Sequence, residues 1–148
     1  MINKFMKAAI LEANKSYQLR EVPVGAVIVK DDQIIGRGFN QKEATNDVTA
    51  HAEIMAIKEA CKTLGSWRLD DCSIYVTLEP CPMCAGAILE ARIKRVYIGT
   101  ESDKSGAAGT VINLLNNPDL GSKTEVYFGI MEDECKMLLE NFFKTLRE

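Results

Sequence analysis

The sequence contains only one histidine and one tryptophan among its 148 residues, and it has no long apolar run. A membrane-spanning helix needs roughly 18 or more consecutive apolar residues, so the sequence predicts no membrane segment. Residues 1–7 also lack the apolar core of a signal peptide, and we therefore expect a cytoplasmic protein. Because neither repeats nor low-complexity stretches interrupt the chain, the sequence predicts a single domain over residues 1–148.

An excess of positive charge is missing as well. The chain has 18 Lys and Arg residues against 21 Asp and Glu residues, which gives a formal net charge of −3. Domains that bind nucleic acid mainly through phosphate electrostatics are usually strongly basic. The charge balance therefore argues against non-specific nucleic-acid binding, although it is compatible with a specific RNA held by a local patch.

Five cysteines lie at positions 61, 72, 81, 84 and 135, and an odd number cannot all form disulfides. A cytoplasmic compartment also keeps thiols reduced. We therefore expect these cysteines to serve as core residues or as metal ligands.

The apolar pattern predicts alternating helices and strands. Helical periodicity covers residues 3–18, 51–64, 82–91 and 132–146, with a further short helix at Val111–Leu115. Strand-like runs cover residues 24–29, 34–39, 73–78, 95–99 and 125–130, and a polar link at 30–33 indicates a hairpin. This order predicts an α/β protein, a three-layer α/β/α sandwich with a five-stranded mixed sheet. The glycine-rich stretch 99–109 lacks a phosphate-binding fingerprint and is expected to form a loop.

Two short motifs, each at the start of a predicted helix, carry metal-ligand side chains. His51 begins one helix, and the Cys-x-x-Cys pair of Cys81 and Cys84 begins another, with both sulfurs on one side of a turn. A helix N-terminus favours negative charge and so lowers the pKa of a thiol. Because two sulfurs and one nitrogen suit tetrahedral Zn²⁺, the sequence predicts a zinc site formed by these three residues.

The number of ligands distinguishes two uses of such a site. Structural zinc sites have four protein ligands, whereas catalytic sites keep one position for water. The motifs supply three ligands, which favours an open, catalytic site. Cys72 is the one plausible fourth ligand, because Cys61 and Cys135 lie on apolar helix faces. With a fourth ligand the chain would instead be a non-catalytic zinc module that binds a nucleic acid or a partner protein.

Glu53 is the candidate general acid and base beside an open zinc site. Residues two apart on a helix point in different directions, so the spacing alone does not place Glu53 beside a metal bound by His51. A glutamate that only stabilises the helix dipole remains the alternative interpretation.

The two motifs together match a known signature. His51-Ala52-Glu53, followed by Pro80 and the Cys-x-x-Cys pair, resembles the H-x-E…P-C-x-x-C pattern of zinc-dependent nucleobase deaminases. Over nearly its full length the chain resembles the bacterial tRNA-specific adenosine deaminases of that superfamily. The resemblance is carried by residues 21–26, 38–40, 49–56, 75–87, 91–96, 104–109 and 141–143. The first four stretches are shared in part with guanine and cytosine deaminases, whereas 104–109 and 141–143 favour the tRNA-acting branch.

The resemblance implies a cytidine deaminase-like fold and a set of residue roles. The histidine and both motif cysteines would bind one zinc ion per subunit, and Glu53 would carry protons between water and the base. Asn40 and the backbone N–H of Ala52 would hold the flipped nucleoside. From the residues alone, however, Asn40 is more typical of a turn than of a substrate-binding residue.

The resemblance also implies a substrate and an assembly. The substrate would be adenosine at the wobble position of a tRNA anticodon, converted to inosine by a homodimer. Lys104, Phe142 and Phe143 would contact the anticodon stem-loop, although the two phenylalanines also fit a core or a dimer interface. The alternative within the same chemistry is a free-base or nucleoside deaminase acting on guanine or cytidine.

Overall fold

The computed structural model describes residues 1–147, in which helices cover both faces of a mixed five-stranded sheet. The helices are α1 (Ile2–Gln18), α2 (Lys42–Thr45), α3 (Ala52–Leu64), α4 (Pro82–Glu90) and α5 (Glu132–Leu146). The strands are β1 (Gly25–Lys30), β2 (Gln33–Phe39), β3 (Ser73–Leu78), β4 (Arg95–Thr100), β5 (Asn116–Asn117), β6 (Ser122–Lys123) and β7 (Glu125–Tyr127). Within the described residues, no helix is long and apolar enough to cross a membrane.

The main sheet has the strand order β2-β1-β3-β4-β7. β1 pairs antiparallel with both β2 and β3, whereas β3, β4 and β7 run parallel to one another. Asp31 and Asp32 join β1 to β2, and both have positive φ angles, of 50° and 60°. Two successive residues with positive φ match the twist of a tight hairpin, which confirms the predicted turn.

Alternate residues of the central strands pack against different helix layers. Ala26 and Ile28 of β1 lie in the core shared with α3 and α4, whereas Val27 and Val29 lie in the core shared with α1 and α5. Successive side chains of a strand point to opposite faces, so a strand buried on both faces is apolar throughout. The predicted α/β class and the three layers are therefore confirmed.

The strand directions bring three chain segments to one edge of the sheet. β2 and β3 both run antiparallel to β1, and β4 runs parallel to β3, so the carboxyl ends of β2, β3 and β4 lie together. Residues 40–51 follow β2, residues 79–81 follow β3, and the loop 101–110 follows β4. Open α/β sheets bind ligands at this edge, and all the predicted zinc ligands lie close to it in the chain.

The first turn of α3 packs closely against β2. A Cβ atom at Gly38 would overlap the carbonyl oxygen of Ala52, so the close contact requires glycine at this position. The contact fixes the start of α3 relative to the sheet, and with it the position of the predicted site residues.

Two predicted elements differ from the structure. The predicted helix at Val111–Leu115 is wrong, because this segment forms bends, and its Asn113 forms a bridge with Ala108. The side chain of Asn113 accepts a hydrogen bond from the Asn116 N–H, and such local bonds compete with helix formation. The last sheet strand, predicted to reach residue 130, ends at Tyr127. The short helix α2 and the β5–β6 hairpin lie where no element was predicted.

Candidate active site

His51 precedes α3 with an extended backbone, at φ −83° and ψ 152°. Its side chain is half-buried at the edge of the sheet where β2 and β3 end. The Nδ1 atom of His51 lies 3.7 Å from Cys81 Sγ and 3.5 Å from Cys84 Sγ. The start of α3 thus brings an imidazole nitrogen against both sulfurs of the Cys-x-x-Cys pair.

Cys81 and Cys84 lie on the first turn of α4. Cys81 caps the helix, and Pro82 takes the first helical position, where its missing N–H leaves no hydrogen bond unmade. The sulfurs and the His51 nitrogen all lie within 4.8 Å of one another. Tetrahedral zinc, with bonds of about 2.3 Å to sulfur and 2.0 Å to nitrogen, would place nitrogen and sulfur ligands about 3.5 Å apart. The two distances from the His51 nitrogen to the sulfurs therefore match those expected around a zinc ion.

The protonation of the cluster is also suited to a cation. A hydrogen bond from the Cys84 thiol to the Cys81 sulfur lowers the pKa of Cys81 to about 4. The same hydrogen bond, together with burial, raises the pKa of Cys84, and the contact with Cys81 raises the pKa of His51. The lowered pKa of Cys81 favours its thiolate form, and binding of a divalent metal would release the remaining ligand protons.

The other cysteines lie away from this cluster. Among residues 1–147, the group of side chains arranged to hold a metal consists of His51, Cys81 and Cys84. Cys72 is buried and directly precedes β3, whereas Cys81 comes after the last residue of β3. Six strand residues span about 20 Å, so Cys72 is too far away to complete the site. The described residues thus supply three ligands, as an open site requires.

Glu53 lies on the first turn of α3 with only 3% of its surface exposed. Burial raises its pKa to about 7, and a hydrogen bond from the backbone N–H of Glu53 opposes part of this rise. Because His51 has an extended backbone, the helical spacing rule does not apply to this pair. Glu53 and His51 accordingly line the same cavity, together with Cys81.

This cavity has a volume of about 460 Å³, within the range of sites that bind small molecules. Besides the zinc-ligand edge, its lining includes Asn40 from the end of β2 and Phe142 and Phe143 from α5. The structure therefore brings most of the predicted site residues together, although α5 begins 48 residues beyond Cys84 in the sequence.

Asn40 is bound directly to Ala52. The Asn40 Oδ1 atom accepts a hydrogen bond of 2.8 Å from the Ala52 N–H. The sequence predicted that both groups bind the nucleoside, whereas in the structure they form a hydrogen bond with each other. The amide nitrogen of Asn40 is left as its donor toward a ligand.

Comparisons with known proteins agree with this geometry. Residues 1–100 match the profile of the cytidine and deoxycytidylate deaminase zinc-binding region. The chain belongs to this deaminase family. The tRNA-specific adenosine deaminase of Bacillus subtilis (strain 168) is 46% identical over 144 residues, which cover 97% of this chain and 89% of that protein.

Solved structures of deaminases have the same fold. One, from a study of A-to-I editing by tRNA:A34 deaminases at the wobble position of transfer RNA, has a TM-score of 0.88 and 44% identity. The match covers 92% of this chain and 99% of that chain. Guanine deaminase from Bacillus subtilis has a TM-score of 0.63 and 39% identity, over 77% of this chain and 83% of that chain. The sequence-based assignment to the deaminase family is confirmed.

The residues predicted to contact RNA differ in their placement in this deaminase. Phe142 is buried and makes edge-to-face contacts with Tyr17 and Phe143, whereas Phe143 is 43% exposed. Lys104 is exposed on the loop 101–110. Its side chain does not contribute to the cavity lining, but the neighbouring Ser105 does.

Sequence analysis missed two buried carboxylates that line the same cavity. Glu21 accepts hydrogen bonds of 2.9 Å from the backbone N–H groups of Glu43 and Ala44, at the start of α2. Glu79 accepts hydrogen bonds from the loop 101–110. Both residues fall within the stretches that resemble the deaminase family. Nothing else in the sequence distinguishes them from exposed glutamates, which are far more common.

Proposed function

We propose that this chain is a zinc-dependent enzyme that hydrolyses adenosine to inosine at the wobble position of a tRNA anticodon. The observation that supports this most strongly is the cluster of His51, Cys81 and Cys84. Two of its members, His51 and Cys81, line one cavity together with the buried carboxylate of Glu53. The near full-length relationship to a tRNA-specific adenosine deaminase supports the choice of substrate.

The proposed chemistry divides between the metal and Glu53. His51, Cys81 and Cys84 would hold a zinc ion, which would activate water as a nucleophile at neutral pH. Glu53 takes a proton from the attacking water and delivers it to a ring nitrogen of adenine, while oxygen adds at C6. Glu53 then takes a second proton from the hydroxyl added at C6 and passes it to the amino group, which leaves as ammonia when the C6–N bond breaks and the C6 carbonyl forms. Adenosine and water are converted to inosine and ammonia, so that no other reactant is needed.

The shape of the cavity suits a base taken out of a stack. A nucleobase within a duplex is inaccessible, whereas a base in a loop is splayed out at little cost. The exposed ring of Phe143 at the cavity offers a surface on which a base can stack. We assign Asn40 to nucleoside binding, and Lys104 with Phe142 and Phe143 to the stem-loop. The net charge of −3 makes such local contacts necessary, because overall electrostatics does not favour RNA.

The composition of the assembly is part of the same proposal. We propose that residues 1–148 form a single domain, of which Glu148 lies outside the described residues. We further propose that this domain forms a homodimer in the cytoplasm and that each subunit binds one zinc ion. The resemblance to the family supports these assignments. Light scattering and metal analysis of the purified protein test the dimer and the zinc stoichiometry.

Guanine deamination is the second candidate, because guanine deaminase from Bacillus subtilis is 39% identical. The experiment that separates the two uses the zinc-loaded protein. It is incubated separately with an anticodon stem-loop carrying adenosine at the wobble position, with free guanine and with free cytidine. Ammonia release is measured in each case, and the nucleosides of the stem-loop are analysed by mass spectrometry. We expect inosine from the stem-loop, whereas release of ammonia from guanine alone would overturn the proposal.

A further inference from the structure

Glu79 is a buried charged residue to which the proposed chemistry gives no role. It follows β3, two residues before Cys81, and only 3% of its surface is exposed. A buried carboxylate is costly unless several donors satisfy it, so its partners indicate what it does.

All the hydrogen-bond partners of the Glu79 carboxylate come from one segment, the loop 101–110. Its Oε1 atom accepts a hydrogen bond of 3.0 Å from the Ser102 N–H and a short one from the Thr110 hydroxyl. Its Oε2 atom accepts hydrogen bonds from the N–H groups of Ala108, at 2.9 Å, and Thr110, at 3.1 Å. One carboxylate therefore binds both ends of the loop at once.

The loop follows the shape of this carboxylate closely. A Cβ atom at Gly106 would overlap the Glu79 side chain, so the backbone passes directly over it. The Ala107 N–H also donates to the Pro80 carbonyl, at 2.8 Å, which ties the loop to the segment leading into Cys81. The position of the loop is thus set by the same chain segment that delivers a metal ligand.

Glu79 differs from Glu53 in what its oxygens can do. Both Glu79 oxygens are occupied by loop donors, so they are not available to carry protons or to bind a metal. The loop that they hold presents Ser105 to the cavity and Lys104 to solvent beside it. A fixed loop conformation would therefore place these two side chains ready to meet the substrate.

We propose that Glu79 is a positioning residue, which fixes the loop 101–110 in the conformation that binds the RNA substrate. This inference rests on the proposed function, because it concerns recognition of the stem-loop. It assigns Glu79 an effect on substrate binding and none on the chemical step.

The direction in which KM changes distinguishes a positioning role of Glu79 from a simple effect of its charge. Neutralising a carboxylate near an RNA site reduces repulsion and lowers KM if charge alone matters. Loss of the loop conformation instead raises KM. The Glu79→Gln variant has the same shape without the charge, and Asp103→Asn removes an exposed carboxylate from the same loop as a matched control.

The experiment measures KM and kcat for the anticodon stem-loop, zinc content, and amide hydrogen exchange of residues 101–110. For Glu79→Gln we expect faster exchange and a KM raised about tenfold, the scale of one lost hydrogen bond to a charged group. We expect kcat within about twofold of the wild type and one zinc per chain, because the step at the metal is untouched. Asp103→Asn should leave exchange unchanged and KM unchanged or lower.

Thr110→Val provides a milder test that does not depend on the folding of the first variant. It removes the hydroxyl donor to Glu79, and we therefore expect a smaller rise in KM. Thr110→Ser keeps a hydroxyl and should have the KM of the wild type. Unchanged exchange, or faster exchange with an unchanged KM, would overturn the positioning role. Absence of inosine with the wild-type protein would overturn the proposed function itself, so the two failures are distinguishable.

Discussion

The Oδ1 atom of Asn40 accepts a hydrogen bond of 2.8 Å from the Ala52 N–H and so joins the end of β2 to the first turn of α3. On its other side Asn40 is held by the buried Ser16, whose hydroxyl donates to the Asn40 carbonyl at 2.8 Å. Asn40 therefore connects α1, the sheet and the helix that carries Glu53. Its oxygen holds the first turn of α3, and under the proposed function its amide nitrogen would donate to the nucleoside.

Two substitutions of Asn40 separate these contributions. Asn40→Asp keeps an oxygen for the Ala52 N–H and removes the amide donor, so it should retain zinc and Tm but raise KM. Asn40→Ala removes both groups and should lower Tm and zinc content in addition. Metal analysis, thermal unfolding and steady-state kinetics check the pair. Identical behaviour of the two variants would show that the link to Ala52 does not position the site.

Gly38→Ala should disturb the start of α3, because a Cβ atom there would overlap the Ala52 carbonyl oxygen. We expect the free energy of unfolding to fall by about 1–3 kcal/mol, as for overpacked cores, together with lower zinc occupancy. Gly86→Ala on α4 is the matched control, since an added Cβ meets no atom within 4 Å. Replacing this helical glycine should leave stability unchanged or raised by up to about 1 kcal/mol. Denaturant unfolding of both variants measures the difference.

Cys84→Ala and Cys72→Ala test the number of zinc ligands. Both cysteines are fully buried, so each substitution removes a thiol of equal size from the interior. Only Cys84 belongs to the metal cluster, and only its loss should abolish zinc binding. Cys72→Ala should retain one zinc per chain by mass spectrometry of the native protein. Loss of zinc from Cys72→Ala would restore the closed, structural site as the better account.

Tyr75→Phe tests the effect of a buried phenol on stability at high pH. Burial raises the pKa of Tyr75 from 10.0 to about 12 in the folded chain. The folded state therefore binds this proton more tightly than the unfolded state, and the resulting stabilisation is complete below about pH 10 and lost as the pH rises toward 12. Over this window the free energy of unfolding should fall less steeply for Tyr75→Phe than for the wild type. Equal slopes in denaturant unfolding between pH 10 and 12 would contradict this assignment.

How much the sequence can predict depends on whether a residue type has distinctive chemistry. His51, Cys81 and Cys84 could be predicted because soft metal ligands at that spacing have few other uses. The strands of the main sheet could be predicted because the buried ones are apolar throughout. Glu79 could not be found in this way, because its role arises from a loop that folds back more than twenty residues later.

The errors in the fold prediction have a similar origin. The apolar residues of Val111–Leu115 have helical spacing, but Leu115 is buried in a segment held by asparagine side chains. The sequence spacing likewise left the orientation of Glu53 undecided. That orientation depends on the extended backbone of His51, which the periodicity of apolar residues in the sequence does not reveal.

The central claim is that Glu53 moves protons beside a zinc ion held by three protein ligands. The most direct test is Glu53→Gln, with zinc content and inosine formation on the anticodon stem-loop measured on the same preparation. We predict one zinc per chain and a kcat lower by a factor of about 100 or more, the usual contribution of a general acid and base. A zinc-loaded Glu53→Gln protein that forms inosine at the wild-type rate would contradict the account.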